Sequence, residues 1–178
     1  ATSGNSQSDV YAMFFDQDAW DKYRMSKEDY DLMKEIEKAN KKEEKSDEKK
    51  DDEKKEDKKK EIKALEFDWD GMKDRKAKLT IHSSNLSDAT LSKDGEKLYY
   101  LSRFEDKYDL WETELRTRDT KKLISLNTGG GSLVWDKKME NLYLLSSGKI
   151  SKVDLSAGSA KPTKISGEME YDAQKERE

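Results

Sequence analysis

Short runs of apolar and polar residues alternate along the chain from residue 62 onward, which is typical of β-strands with one buried face. One pattern recurs there: an aromatic-rich strand, an acidic or glycine-containing turn, a second strand, and a short basic stretch that ends in an aliphatic residue. Trp69, Leu115 and Leu155 fall at equivalent places about 40 to 46 residues apart, which is the period of a four-stranded propeller blade.

The copies of this pattern define a fold prediction. The clearest copies occupy residues 91–124 and 134–165, and a split copy combines residues 10–15 with residues 64–80. We therefore predict a mainly β fold, a partial β-propeller of about two four-stranded blades plus part of a third, with a helical, highly charged insertion. The split blade is predicted to have its first strand in residues 1–15 and its remainder in residues 62–82, with the insertion at residues 16–61 between them. A second blade follows at residues 83–127 and a shorter third blade at residues 128–167. Residues 168–178 are predicted to start a helical connection to a further domain.

The insertion is predicted to contain a helix that lies on another part of the protein. Ser26 can cap this helix, and Asp29 has the reciprocal position of a capping box. Three apolar residues then follow at three-residue steps and form a narrow stripe: Tyr30, Met33 and Ile36. Residues 41–61 contain no apolar side chain and mix both charge signs. We interpret that run as a solvated helix or linker that protrudes from the propeller, with an electrostatic docking tail as the alternative.

Two glycine-containing segments predict connections between strands. Asp94 and Gly95 predict a two-residue hairpin turn, because glycine accepts a positive φ and aspartate tolerates it. Residues 129–132 contain three consecutive glycines, but no Gly-Lys-Ser/Thr follows them and a strand comes next. We interpret that segment as a flexible crossover between blades and not as a phosphate-binding loop.

Charge and composition limit the expected partners. The 178 residues include 36 Lys and Arg and 40 Asp and Glu, with a formal net charge of −4 at pH 7. The two signs are interleaved, so no basic face is predicted and nucleic acid is not an expected partner. The chain has no cysteine, which excludes disulfides and thiolate metal sites. No run approaches the roughly 18 apolar residues of a spanning helix, so we expect no membrane span.

The residues with catalytic potential are few. His82 is the only histidine, and although Ser83 and Ser84 follow it, neighbours on a strand point to opposite faces. We interpret His82 as a structural or surface residue. We predict no catalytic residue, no cofactor-binding residue and no cofactor.

The acidic pairs and the tryptophans have similarly plain interpretations. Asp68 with Asp70, and Glu112 with Glu114, are interpreted as solvated strand faces, and residues 68–71 lack the rest of a calcium loop. No metal site is therefore predicted. Three tryptophans are interpreted as blade packing residues, with carbohydrate or peptide stacking as the alternative: Trp69, Trp111 and Trp135.

The repeat resembles that of a known family. Residues 91–100 with residues 108–111 resemble the propeller repeat shared by TolB and the tricorn-type peptidases. Residues 64–71 and 79–84, together with the charged insertion, look more specifically like the propeller of tricorn-like serine proteases with a PDZ domain, as found in Bacteroidetes. This resemblance covers nearly the whole chain.

The resemblance implies a function that the chain performs without its own active site. Such propellers precede a catalytic region with a serine nucleophile served by histidine, and no segment here matches those catalytic motifs. We therefore expect a non-catalytic propeller portion that guides or gates peptide substrates, while the parent protein is a serine-type peptidase. The alternative is a TolB-like protein-interaction propeller without peptidase activity, and a third possibility is a sugar-binding propeller.

Partners and location follow from the same resemblance. The expected partners are the remaining blades and catalytic domain of the parent chain, and peptide substrates. Uncovered blade faces also predict self-association of the fragment. The relatives imply a periplasmic or secreted location, with the cytoplasm as the alternative.

Overall fold

The computed structural model describes residues 7–47, 67–104 and 106–164. The predicted helical connection at residues 168–178 lies outside these residues, as does most of the charged run. Within the described residues the chain forms two helices and ten strands, in the following order along the sequence: β1 (Tyr11–Met13), α1 (Gln17–Arg24), α2 (Lys27–Asp47), β2 (Lys76–Lys78), β3 (Asn85–Leu91), β4 (Lys97–Arg103), β5 (Tyr108–Glu114), β6 (Thr120–Thr128), β7 (Ser132–Trp135), β8 (Leu142–Ser146), β9 (Lys149–Asp154) and β10 (Ser159–Pro162).

The strands form three sheets, and the chain divides into two compact units. One sheet has the order β3-β4-β5-β6, a second has the order β10-β9-β8-β7, and β1 pairs with β2. The two-sheet unit contains described residues 84–112 and 121–164. The strand–helix unit contains described residues 7–83 and also 113–120, the tip of the β5–β6 hairpin. Each unit is described separately below.

The core of the two-sheet unit lies between its two four-stranded sheets. Each sheet contributes four buried apolar side chains to one cluster: Tyr99, Leu101, Leu110 and Ile124 from the first, and Leu133, Leu142, Leu144 and Val153 from the second. In the second sheet, Leu133 pairs with Leu144 and Leu142 pairs with Val153, so period-2 alternation places all four on one face. Burying a leucine side chain contributes roughly 1.5–3 kcal/mol, so this cluster is the main source of stability in the unit.

The first strands of the two sheets, β3 and β7, lie next to each other. A β-bulge interrupts the β3–β4 pairing between Leu86 and Asp88. At the bulge, Ser87 Oγ donates to Gly131 O at 2.8 Å and accepts from Gly131 N at 2.9 Å. Asp88 Oδ2 accepts from Leu133 N at 2.7 Å. Two four-stranded antiparallel sheets with adjacent first strands are neighbouring propeller blades, and the predicted mainly β, partial-propeller fold is confirmed.

The glycine-containing connection between these blades is closely packed. A Cβ atom on Gly131 would lie 2.5 Å from Leu145 O and 3.1 Å from Ser146 Cβ, so only glycine fits there without a shift of the backbone. Gly130 has a φ of 123° and its carbonyl accepts from Ser146 Oγ at 2.6 Å. The segment is a crossover between blades, in which Gly131 is tightly packed and Gly129 has open space around it.

The strand–helix unit is built around a short β-ribbon and a helical pair. In the ribbon, Ala12 pairs with Ala77. Phe14, which follows β1, packs on α1: the centroid of its ring lies 5.2 Å from that of Trp20 and 4.8 Å from that of Tyr23. Helix α2 begins as predicted, because Ser26 Oγ accepts from Asp29 N at 3.1 Å and donates to Asp29 Oδ2 at 2.8 Å.

Two arginines connect the segments of the strand–helix unit. Arg75 is 4% exposed and donates to Phe14 O, Asp70 O, Gln17 Oε1 and Asp68 O. Arg116, on the hairpin tip, donates to the carbonyls of Lys22, Tyr23 and Met25, at the end of α1 and just beyond it. Its guanidinium also lies 3.5 Å from the Tyr30 ring centroid. Arginine is suited to this role because its donors form a fixed planar fork.

Some local predictions differ from the structure. The β3–β4 loop closes between Ser92 and Lys97, where Ser92 N donates to Lys97 O at 2.8 Å, so Asp94 and Gly95 are not a two-residue turn. Residues 67–69 form no strand, so that part of the predicted split blade is wrong. In α2, Ile36 is 53% exposed and does not complete the expected apolar stripe.

Candidate functional site

A cleft opens on the two-sheet unit where the β3–β4 and β7–β8 loops meet. Its volume is about 530 Å³, and it is shallow and open to solvent. We call it the loop cleft. Its lining combines basic, acidic and apolar side chains: Ser92, Lys93, Asp94, Lys97, Tyr99, Trp135, Met139, Glu140 and Leu155.

An aromatic pair forms the floor of the loop cleft. Tyr99 on β4 and Trp135 at the end of β7 meet edge to face, with ring centroids 6.0 Å apart and an interplanar angle of 67°. Trp135 Nε1 donates to Leu91 O at 2.8 Å, which links β7 to β3 and fixes the indole ring. This hydrogen bond holds the indole in place, and the partly exposed Trp135 ring can contact an apolar ligand group, whereas the Tyr99 ring is buried beneath it.

The loops at the rim of the cleft are held by polar contacts. Lys93 Nζ donates to Lys138 O at 3.0 Å and joins the two loops. Asp136 accepts from Asn141 Nδ2 at 2.6 Å and from Glu140 N at 2.8 Å. The hydrogen bond from Asn141, followed by that from Glu140 N, lowers the pKa of Asp136, so this carboxylate keeps its charge and holds the turn at neutral pH.

A buried glutamate orients Tyr99 from behind the floor. Glu112 is 6% exposed, and its Oε1 atom lies 3.2 Å from Lys97 Nζ and 3.2 Å from Lys121 Nζ. Burial, and then the Glu112 carboxylate that accepts a hydrogen bond from the phenol, raise the pKa of Tyr99. Tyr99 therefore stays neutral. The interpretation of Glu112 as part of a solvated strand face is wrong, since two lysines compensate a carboxylate that the sheet buries.

The other residues considered for catalysis are His82, Ser83 and Ser84. His82 is exposed in a bend after β2. Ser83 Oγ donates to Asp9 Oδ2 at 2.7 Å, whereas Ser102 Oγ donates to Ser84 Oγ at 2.6 Å in the other unit. These distances assign both serine hydroxyls to hydrogen bonds within the fold.

Residues 68–71, which were considered as part of a calcium loop, contact the side chain of an arginine. The carbonyls of Asp68 and Asp70 both accept from the Arg75 guanidinium, which supplies the positive charge at that place. Among residues 7–47, 67–104 and 106–164, no group of three or more His, Asp or Glu side chains is arranged to hold a metal ion.

The tryptophans that the sequence grouped together occupy different environments. Trp135 packs against the apolar core, as predicted. Trp69 is 71% exposed and stacks on Phe67, with ring centroids 5.6 Å apart, so its assignment as a packing residue is wrong. Trp111 contacts Phe104 edge to face with centroids 4.7 Å apart. Spacing alone gave no signal that could separate these three.

Comparison with known proteins adds a similarity to a solved structure. A crystal structure of the tricorn protease resembles this chain with a TM-score of 0.43 and 15% sequence identity, over 55% of this chain and 9% of that chain. At this level the similarity establishes neither family membership nor an activity. No protein-family model matches the chain, and no curated protein matches it. Neither helix of the described residues combines the length and apolar character needed to span a membrane.

Proposed function

We propose that this chain is the non-catalytic propeller portion of a tricorn-like serine peptidase, and that it guides or gates peptides on their way to a catalytic domain elsewhere in the parent protein. The observation that carries the proposal is the loop cleft, with its aromatic floor at the junction of two blades. The subtype with a PDZ domain, and a periplasmic or secreted location, are proposed on the sequence resemblance alone.

The composition of the loop cleft suits extended peptide segments. The partly exposed Trp135 ring offers a surface for apolar side chains, and Met139 adds a flexible apolar group at the rim, whereas Tyr99 lies buried beneath them. Lys93 supplies a cation beside them, whereas Lys97 is paired with Glu112, and Asp94 and Glu140 add carboxylates to the lining. We therefore expect the cleft to bind unstructured peptides that contain an aromatic residue, with an acidic residue favoured only where it lies beside Lys93.

A binding measurement on the whole chain tests this proposal. Isothermal titration calorimetry with short unstructured peptides that contain aromatic and acidic residues should show saturable binding. Lys93→Glu reverses a rim charge and should weaken binding about fivefold, as expected for loss of a charge pair worth about 1 kcal/mol. Lys149→Glu changes an exposed lysine on β9 that is not among the residues lining the cleft, and it should leave the affinity unchanged.

Two outcomes would contradict the proposal. If no peptide binds, or if Lys149→Glu weakens binding as much as Lys93→Glu, then the loop cleft is not a peptide site. If the purified chain itself hydrolyses peptides, then it is not a non-catalytic portion.

A second candidate function, a TolB-like interaction propeller, is favoured by one surface. The strand–helix unit exposes an outer aromatic face that consists of Tyr11, Met13, Phe15, Phe67 and Trp69, which are between 42% and 71% exposed. Contiguous exposed apolar groups of this kind mark interaction surfaces. Sedimentation velocity of the wild-type chain should show association that rises with concentration and that Trp69→Ser reduces. A monomer at all concentrations would argue against this surface as a self-association site.

A further inference from the structure

The tryptophans differ in what their ring nitrogens contact. Trp135 Nε1 donates to Leu91 O, but Trp111 Nε1 is shielded from solvent and has no hydrogen-bond acceptor among the described residues. A buried N–H without an acceptor is destabilising, because it has lost its hydrogen bond to water and gained none in the fold. Because buried polar groups in folded proteins are nearly always paired, the Trp111 indole requires an explanation.

A separate cavity of about 340 Å³ lies against Trp111 in the two-sheet unit. We call it the Trp111 pocket. Its lining includes Phe104, Asp106, Asp109, Trp111, Lys122 and Asn127. None of these residues lines the loop cleft.

The Trp111 pocket has an aromatic side and a polar side. Phe104 meets Trp111 at an interplanar angle of 70°, and its ring is 44% exposed. On the polar side, Asp109 Oδ1 accepts from Leu126 N at 2.8 Å and from Asn127 N at 3.2 Å. Lys122 Nζ lies 3.5 Å from Asp109 Oδ2. A carboxylate held by two backbone N–H groups, and the exposed ammonium of Lys122, therefore lie beside an aromatic wall.

Two further polar groups at the rim are available to a ligand. The side chains of Asp106 and Asn127 are exposed and form no hydrogen bond with any other described residue. Asn127 has a φ of 53°, a backbone conformation that asparagine tolerates better than most residues do. Together they provide a carboxylate acceptor and an amide that both donates and accepts.

We propose that the Trp111 pocket binds a small saccharide of one or two rings. The C–H face of a sugar ring packs on an aromatic wall, and its hydroxyl groups act as donors to Asp106 and as acceptors for Lys122 and the Trp111 N–H. The exposed Phe104 ring turns aside to admit the hydroxyl that reaches the indole. An apolar side chain would leave the indole N–H unpaired, and the two carboxylates and two ammonium groups of the lining, Asp106, Asp109, Lys107 and Lys122, balance one another in charge, so a neutral polyhydroxylated ligand matches these groups best. The volume is at the lower end of the usual range for ligand sites, which limits the ligand to one or two rings.

Ligand-observed NMR with a panel of neutral mono- and disaccharides tests the proposal on the whole chain, with calorimetry on the sugars that bind. Trp111→Phe keeps an aromatic wall but removes the N–H, and should weaken binding about tenfold, as expected for one lost hydrogen bond of about 1–1.5 kcal/mol. Asp106→Ala changes an exposed side chain that the fold does not use and should also weaken binding. Trp69→Phe, on the exposed tryptophan outside the pocket, is the matched control and should have no effect.

The proposal is overturned if no saccharide in the panel binds saturably, or if Trp69→Phe weakens binding as much as Trp111→Phe. It is also overturned if Asp106→Ala leaves sugar affinity unchanged, or if short peptides bind at Trp111 while sugars do not. Because peptide binding is assigned to the loop cleft, failure of either proposal leaves the other standing.

Discussion

The two units of this chain are stabilised by different kinds of interaction. The two-sheet unit encloses eight buried apolar residues between its sheets. In the strand–helix unit, the buried apolar side chains among the described residues are Leu79 and Leu115, while Arg75, Thr80 and Thr113 are buried with them. Apolar burial stabilises the first unit, whereas hydrogen bonds from arginine to backbone carbonyls connect the second.

Because of this difference, we expect different kinds of substitution to destabilise the two units. An apolar core loses stability when volume is removed, because a cavity remains. A polar network loses stability when one donor is removed, because several acceptors are then left unpaired in a buried site. The following substitutions are ordered from the largest expected effect to the smallest.

Removal of a core side chain should have the largest effect, and it should be confined at first to the two-sheet unit. Leu101 is 0% exposed, and Leu101→Ala should lower the free energy of unfolding by about 2–5 kcal/mol. Leu145→Ala, at a position that is 47% exposed, is the control and should change it by less than about 1 kcal/mol. Urea denaturation gives the free energies, and hydrogen exchange identifies the unit affected. Equal effects of the two changes would contradict the core assignment.

Loss of the buried arginine should act on the strand–helix unit instead. Arg75→Met removes the donor to Phe14 O, Asp68 O and Asp70 O, and should cost about 2–3 kcal/mol of local stability. Hydrogen exchange should accelerate in residues 10–15 and 67–79 while the amides of β8 and β9 keep their protection. Arg118→Met, at an exposed arginine with a single 3.2 Å bond to Lys78 O, serves as the control. Exchange that accelerates equally in both units would show that they are not independent.

A methyl group at the blade junction should disturb the two-sheet unit by steric conflict. Gly131→Ala would place a Cβ atom 2.5 Å from Leu145 O and should cost about 1–3 kcal/mol through a forced shift of β7 against β8. Gly129→Ala is a matched control in the same segment, because its Cβ would meet no atom within 4 Å. Thermal melting of both variants measures the difference. If the two melt alike, the junction is looser than its geometry implies.

The smallest expected effect depends on pH. Burial alone would raise the pKa of Asp9, but hydrogen bonds from Thr80 and Ser83 and the Lys78 ammonium hold that pKa below its usual value. Asp9 therefore contributes stability above its unfolded pKa of about 3.9, and this contribution is lost as the pH falls through the lowered pKa.

Replacement of Asp9 should remove that dependence. Asp9→Asn should cost about 1 kcal/mol at pH 7, and its deficit against the wild type should shrink below about pH 4. Asp31→Asn, at an exposed position on α2, should have no such effect. Denaturation curves between neutral and acidic pH test this, and a deficit that stays constant across the range would show that the Asp9 charge is not involved.

The fold was more predictable than the sites. The short apolar runs in β4, β7 and β8 indicated buried strands correctly, and β4 is buried on both faces, since its consecutive side chains point to opposite faces of the sheet. The Ser26 cap was also predictable, because it depends only on residues three positions apart in the chain. Glu112 was not, because its two lysines come from different strands and nothing in its sequence neighbours marks it as buried.

The repeated strand pattern, the four-stranded blades and the start of α2 follow from the amino-acid sequence alone, because these depend on contacts between residues that are close in the chain. Only the tertiary structure showed that Arg75 occupies a ring of carbonyls, that Gly131 is tightly packed, and that Trp69, Trp111 and Trp135 have three different environments. Those properties depend on atoms from segments far apart in the chain. Residue type and spacing do not encode which of those atoms meet.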